Sequence, residues 1–239
     1  MKPELEAHMM TNSHLPTSAL QAVVFDLDGL MFNTEDLYQQ VGVEVLAKRG
    51  RRLDGELLDQ MLGRQSHVSL QIMIDWHQLD DTPDELAAES MEIMGRLLPE
   101  RLEPMPGLLQ LLSSVEAADI PKAIATSSSR AFVTTVLRQF QLESRFSFVL
   151  TAEDIVHGKP APDVYLLAAE KHGFKPGQIM VLEDSQIGCR AAVAAGTYAV
   201  AVPSGHSEQH AFEGVQLVAD SLVDARIYES LGILSAGNK

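Results

Sequence analysis

Cysteine is nearly absent from this sequence: Cys189 is the only one in 239 residues. Disulfides and cysteine-ligated zinc are therefore both excluded. Aromatic residues are scarce at 5%, which leaves Leu, Val, Ile, Ala and Met to do most of the packing. Cations are outnumbered, with 18 Lys and Arg against 33 Asp and Glu, for a formal charge of -15. Nucleic acid is gripped by clustered Lys and Arg, so the deficit argues against a nucleic-acid partner. It leaves room for a small phosphorylated metabolite, because a metal and one or two cations invert a local potential. No apolar run approaches the roughly 18 residues of a membrane span, so no membrane partner is expected. Residues 1–18 have mixed charge, two His and no apolar core of signal-peptide length. They read as a tail, and the expected protein is a cytoplasmic monomer.

What is present is enough apolar material, 46% of the chain, to bury a sizeable core. Residues 21–28 form a short continuous apolar run that ends in Asp26, Asp28 and Gly29. A strand buried on both faces and running into a functional loop has this form. Runs at 121–127, 146–151, 178–184 and 198–203 share the design, and 215–219 is a weaker sixth. Helical stretches at about 129–140, 161–172 and 186–195 separate them, the last with Ser185 as N-cap and Gly196 as its stop. Alternation of this kind implies an α/β fold with a parallel, doubly wound sheet. Residues 36–103 break the rhythm with helical patterns at roughly 36–49, 54–62, 66–78 and 83–98. The expected organisation is a tail (1–18), a core (19–35 and 104–239) and a small helical insert (36–103).

Each candidate functional group is weak by itself. Asp26 and Asp28, two apart in an extended chain, share one side of it and call for a compensating cation. Alone, such a pair marks a solvated turn more often than a site. Glu183 and Asp184 end a second apolar run in the same way. Thr126, Ser127, Ser128 and Ser129 end a third and also suit a helix N-cap. Lys159 stands in a proline-restricted loop, where a surface lysine is the ordinary finding. Together they differ, because each follows or ends a strand of one parallel sheet. Open α/β sheets bind ligands outside the carboxyl ends of their strands. Acids there suit Mg2+; hydroxyls, helix N-terminal N–H groups and a lysine suit a phosphoryl group.

Asp26, Asp28 and Gly29 followed by Thr34 and Glu35, then Thr126, Lys159 and Glu183 with Asp184, resemble the four ordered motifs of the haloacid dehalogenase superfamily. The resemblance spans residues 22–196 and is specific as a combination. It implies a Rossmann-like core with a small all-helical cap, as in the β-phosphoglucomutase-like subgroup. Gly29 to Glu35, Met61 to Arg64 and His157 to Pro160 are most similar to the pseudouridine-5′-phosphatase-like branch. The implied activity is a Mg2+-dependent phosphatase acting on a sugar phosphate or nucleoside monophosphate. By the same resemblance Asp26 is the nucleophile, Asp28 the acid and base, and Thr126 and Lys159 steady the phosphoryl group. The backbone of Ser127 assists, and the metal takes Asp26, the Asp28 carbonyl, and Asp184 with Glu183 or a water. Gly63 and Arg64 would reach substrate from the cap loop, with His67 a weaker candidate beside them. Asn33 stands where many relatives carry Asp. The rival reading is a hexose-phosphate mutase, disfavoured because Tyr38 and Ser66 align with that enzyme's His and Arg. A non-enzymatic phosphate-binding protein is the third. Cys189, Trp76 and the Met residues read as packing, and the basic run 48–52 as a solvated helix end.

Overall fold

The computed structural model describes residues 16, 19–61 and 64–233. The expected tail, residue 16 apart, lies outside them, as does Gly63. Among the described residues six strands form one parallel sheet: β1 (Ala22–Phe25), β2 (Lys122–Ala125), β3 (Val149–Leu150), β4 (Ile179–Glu183), β5 (Tyr198–Ala201) and β6 (Leu217–Val218). Their order is β3-β2-β1-β4-β5-β6. The chain thus builds outward from β1 to one side, then returns to β4 and builds to the other. The crevice where the direction reverses is the ligand site of such sheets, and it lies between β1 and β4.

Both faces of the sheet are buried, as continuous apolar strands require. Val23, Phe25, Met180 and Leu182 face one hydrophobic layer, and Ala22, Val24, Ile179 and Val181 face the other. The first layer is closed by α5 (Leu108–Ala117), α6 (Arg130–Gln139) and α9 (Ala225–Leu231). The second is closed by α7 (Asp163–His172) and α8 (Gln186–Ala194), whose buried alanines bring them close to the strands. Ser185 caps α8 by accepting from Gly188 N at 3.1 Å, as its position predicts. Helices α5 and α9 are absent from the sequence expectation. The first opens on Gly107 at φ +88°, directly after what reads as linker.

Between β1 and α5 the described residues hold no strand of the sheet. They form α1 (Thr34–Ala47), α2 (Gly55–Met61), α3 (Ser66–His77) and α4 (Pro83–Arg101). Thr82 starts α4 with a reciprocal capping box to Glu85, followed by Pro83 at the first helical position. Two cations of the basic run are paired locally: Lys48 with Glu89, and Arg49 with Asp81 and Glu89. Asn33 ties together the two strands of chain that enter and leave this helical segment. Its Oδ1 accepts from Glu103 N at 2.7 Å and its Nδ2 donates to Arg101 O at 3.2 Å. No helix of the described residues is long and apolar enough to cross a membrane.

One ion-pair cluster braces the sheet edge away from the site. Glu116 on α5 meets Arg145 at 2.6 Å and the buried Lys122 at 2.8 Å. Hydrogen bonds from Arg145 and Lys122 outweigh burial and hold its carboxyl down at about 2. A depressed folded-state value stabilises the fold above the unfolded range, and this is lost as pH falls through the folded value. Glu116→Gln should therefore lower the melting temperature at pH 7. The gap to the native chain should close as pH falls from 4.5 to about 2, which a melting series across pH checks.

Candidate active site

The loop after β1 is held in a tight curl. Met31 N and Phe32 N donate to Leu27 O, and Gly29 N donates to Phe32 O and to the Thr34 hydroxyl. This curl puts Asp26 and Asp28 at the head of the crevice. Gly29 takes φ +75°, and a Cβ there would lie 2.2 Å from Asp184 Oδ2. Only glycine both adopts this backbone and lets the Asp184 carboxylate from the end of β4 lie against the loop.

Lys159 is the hub of the buried charges. Its Nζ forms ion pairs with Asp26 Oδ1 and with Glu183 Oε1, the latter at 2.7 Å, and donates to Ala125 O at 3.2 Å. The Glu183 carboxylate is fully engaged. Oε1 accepts from Lys159 and, at 2.7 Å, from Tyr165 OH; Oε2 accepts from Ser185 N at 3.1 Å and Ser185 Oγ at 3.0 Å. Four donors saturate the roughly four lone-pair positions of a carboxylate. Gly188 makes room for it, since a Cβ there would fall 1.6 Å from Glu183 Oε1. Gly188→Ala should therefore displace Glu183 and, through it, Lys159. A loss of turnover of at least about tenfold with a helix content unchanged by circular dichroism is the expected result.

Asp28 is held differently. Its Oδ2 accepts from Thr126 Oγ1 at 2.9 Å and from Ser128 Oγ at 2.7 Å. Its Oδ1 is buried and has no partner. Ser128 Oγ lies 3.4 Å from Tyr38 OH on α1, so a line of hydroxyls runs from the helical segment to the carboxylate. Thr126 spends its proton on Asp28 and accepts from Ser128 N at 3.0 Å. Burial raises the Asp28 carboxyl above its ordinary range, although the Ser128, Thr126 and Thr34 hydroxyls pull the other way.

The electrostatic balance is one-sided. Asp26, Asp28, Glu183, Asp184 and Glu35 gather around a single buried cation, Lys159. Burial and then repulsion from Glu183 and Asp26 push the Asp184 carboxyl well up. Asp26 is also raised, by burial first, with Lys159 opposing and Glu183 and Asp28 adding. Glu35 is driven to about 8 by burial and by Asp28 and Asp26. Such a set calls for a further cation. Asp26, Glu183 and Asp184 have carboxylate oxygens within 4.8 Å of one another, and oxygen-only ligands suit magnesium. Because Glu183 is saturated by protein donors, Asp26 and Asp184 are the carboxylates with capacity to spare. The residues present fit a magnesium ion.

The residues expected at the strand ends thus converge, with Ser127 lining the adjoining cavity. Arg64 also lines that cavity, is exposed, and donates from Nε to Gln60 O at 2.8 Å. His67 is exposed and does not line it. Tyr165 and Gly188 belong to the site without having been assigned a place in it, whereas Ser128 stood in the expected hydroxyl cluster and Glu35 in the first motif without a role of their own. A glycine in the first turn of a helix following an acid pair was the available signal for Gly188. Tyr165 had none, since its partner Glu183 lies 18 residues away on another element.

A model of the haloacid dehalogenase-like hydrolase family matches residues 23–202. The chain is 34% identical over 180 residues to the fructose-1-phosphate phosphatase YqaB of Escherichia coli, covering 75% of this chain and 95% of that protein. It is 32% identical over 207 residues to a Drosophila melanogaster protein named "Probable pseudouridine-5'-phosphatase", covering 84% and 89%. Against the bifunctional riboflavin kinase/FMN phosphatase of Arabidopsis thaliana (28% over 219 residues) the chain spans only 57% of that protein's length. Crystal structures of CbbY from Rhodobacter sphaeroides, with phosphate and with xylulose-(1,5)bisphosphate, superpose with a TM-score of 0.76. They are 26% identical and cover 85% of this chain and 95% of theirs. With the family's span, its sheet order and a charged crevice at the expected strand ends, this chain belongs to the haloacid dehalogenase-like hydrolase family, among its phosphatases.

Proposed function

We propose that the protein hydrolyses a small phosphate monoester, a sugar phosphate or nucleoside monophosphate, through a phosphorylated Asp26. The observation that carries this reading is the pairing of two differently held carboxylates, Asp26 on Lys159 and Asp28 on two hydroxyls. Environments that separate two acids in this way assign them different roles. Asp26 attacks phosphorus and displaces the ester oxygen, splitting one displacement into two. Asp28, raised by burial, gives that departing oxygen its proton. Asp28 then takes a proton from the water that attacks the phosphorylated Asp26, the phosphorus–Asp26 oxygen bond breaks, and inorganic phosphate leaves. Lys159 neutralises charge shared by Asp26 and the phosphoryl oxygens, Ser127 lines the adjoining cavity, and Thr126 acts through Asp28, to which its hydroxyl donates.

Asp26, the Asp28 carbonyl and Asp184 would hold the magnesium ion. When bound it supplies the positive charge that lets an anionic nucleophile and a phosphoryl group approach. Glu183 is a positioning residue in this reading, fixing Lys159 rather than the metal. Residues 36–103 act as a cap whose inner surface meets the alcohol portion of the substrate.

The test is phosphate release from a panel of phosphate monoesters, with magnesium and with chelator. Release that requires magnesium supports the reading, and release indifferent to chelation overturns the metal assignment. Asp184→Ala should raise the magnesium concentration for half-maximal rate about tenfold or more. Unchanged metal dependence in that variant would remove Asp184 from the ligand set.

A further inference from the structure

The charged crevice opens into a cavity of about 350 Å³, within the range of roughly 300–1,000 Å³ that holds drug-sized ligands. Its two ends differ in kind. Asp26, Asp28, Lys159 and Asp184 form one end. The other runs between the four helices of the inserted segment and is walled by Leu53, Leu70, Met73, Met94, Met61 and Phe132. The methionines expected to be packing are therefore partly a cavity wall. Helical spacing places a side chain on an inner face without saying whether another side chain or a void lies opposite.

The polar side chains on the helical side of the cavity, Tyr38, Arg64, Ser66, Ser69 and Ser90, are outnumbered by apolar ones. Ser69 Oγ donates to Met61 O at 2.9 Å, and Ser128 is bound to Asp28. A polyhydroxylated sugar laid against the Leu and Met part of that wall would bury hydroxyls without partners, which costs binding for each one left unpaired. An apolar or flat aromatic body meets the wall on favourable terms, since burial of its surface is gained. Methionine thioethers adapt to such a body and contact aromatic rings well.

We infer that the substrate is a phosphate monoester whose alcohol carries an apolar or flat aromatic body, seated on the Met and Leu wall of the inserted helices. The inference rests on the phosphatase reading above and sets aside its sugar-phosphate class. The phosphoryl group sits at the charged end and the body fills the apolar end.

Straight-chain alkyl phosphates test it, because their leaving groups are of nearly equal acidity and differ only in apolar length. From methyl to hexyl phosphate, kcat/KM should rise about fourfold per methylene, the equivalent of ~0.8 kcal/mol. Benzyl phosphate should exceed glucose 6-phosphate by about 100-fold. A flat alkyl series, or a preference for polyol phosphates, overturns the inference while leaving the phosphatase reading intact. Binding of hexylphosphonate and methylphosphonate, measured by calorimetry, separates the two failures. If no ester is hydrolysed but hexylphosphonate binds at least about 100-fold more tightly, the apolar pocket stands and the reaction reading falls. Equal binding of the two phosphonates removes the pocket. Met73→Gln should flatten the rise with chain length. Should that buried substitution prevent folding, Met61→Gln at a partly buried position on the same wall should do the same. A slope unaltered in a folded variant of either residue places the body elsewhere.

Discussion

Asp26→Asn should abolish turnover, by about 10⁴-fold or more, while the protein still folds. The amide is nearly isosteric with the carboxylate but is a poor nucleophile, so the phosphorylated intermediate cannot form. Asp26 is 5% exposed and borders Lys159, so loss of its charge relieves repulsion from Asp28 and Glu183 even as it weakens the ion pair. The two effects oppose each other in stability. Neither offsets the loss in chemistry. Incubation with a labelled phosphate monoester and rapid quenching should trap label on the native protein and none on the variant. Normal turnover by Asp26→Asn would sink the nucleophile assignment.

Lys159→Met should be the most destabilising single change at the site. Its Nζ is the shared partner of Asp26 and Glu183, and all three side chains are buried. Removing one member of a buried ion pair leaves uncompensated charge and typically costs about 3–5 kcal/mol. Here two carboxylates would be stranded at once, although Glu183 keeps Tyr165 and Ser185. Denaturant titration should show a midpoint shifted down with an unchanged slope. The double variant Lys159→Met, Glu183→Gln should recover part of the loss, because it removes one of the stranded charges. No recovery would mean that Lys159 is held by something other than this pair.

The strand ends were legible because burial on both faces leaves an uninterrupted apolar run, and an acid pair closing such a run stands out. That is how Asp26, Asp28, Glu183 and Asp184 could be placed together before any coordinates. The run of helices between β1 and α5 was legible for a related reason: residues 36–103 lack strand runs. The relations between distant side chains were not. Glu183 could be read as an acid at a strand end, but its saturation by Lys159, Tyr165 and Ser185 depends on α7 and α8 arriving from both sides. The Asn33 tether was hidden likewise, since its partners lie 68 and 70 residues later. The missed helix α5 shows a different limit. Its Leu-rich opening follows Gly107 so directly that the linker signal at 101–107 masked the start of the next element.

The central place of β1 also dictates when the molecule can form. Val23 pairs with Lys122 on one side, and Ala22 pairs with Ile179 on the other, so β1's neighbours are separated from it by 99 and 157 residues. On a ribosome, β1 emerges first and waits with its apolar faces uncovered until most of the chain has been made. Pairings so distant in sequence make folding slow, and a waiting apolar strand is exposed to misassociation. Helices α1 to α4 emerge in that interval, and local contacts among them can form without the sheet. The insertion that separates β1 from β2 thus gives the nascent chain something to fold while the strand leading to Asp26 remains unpaired.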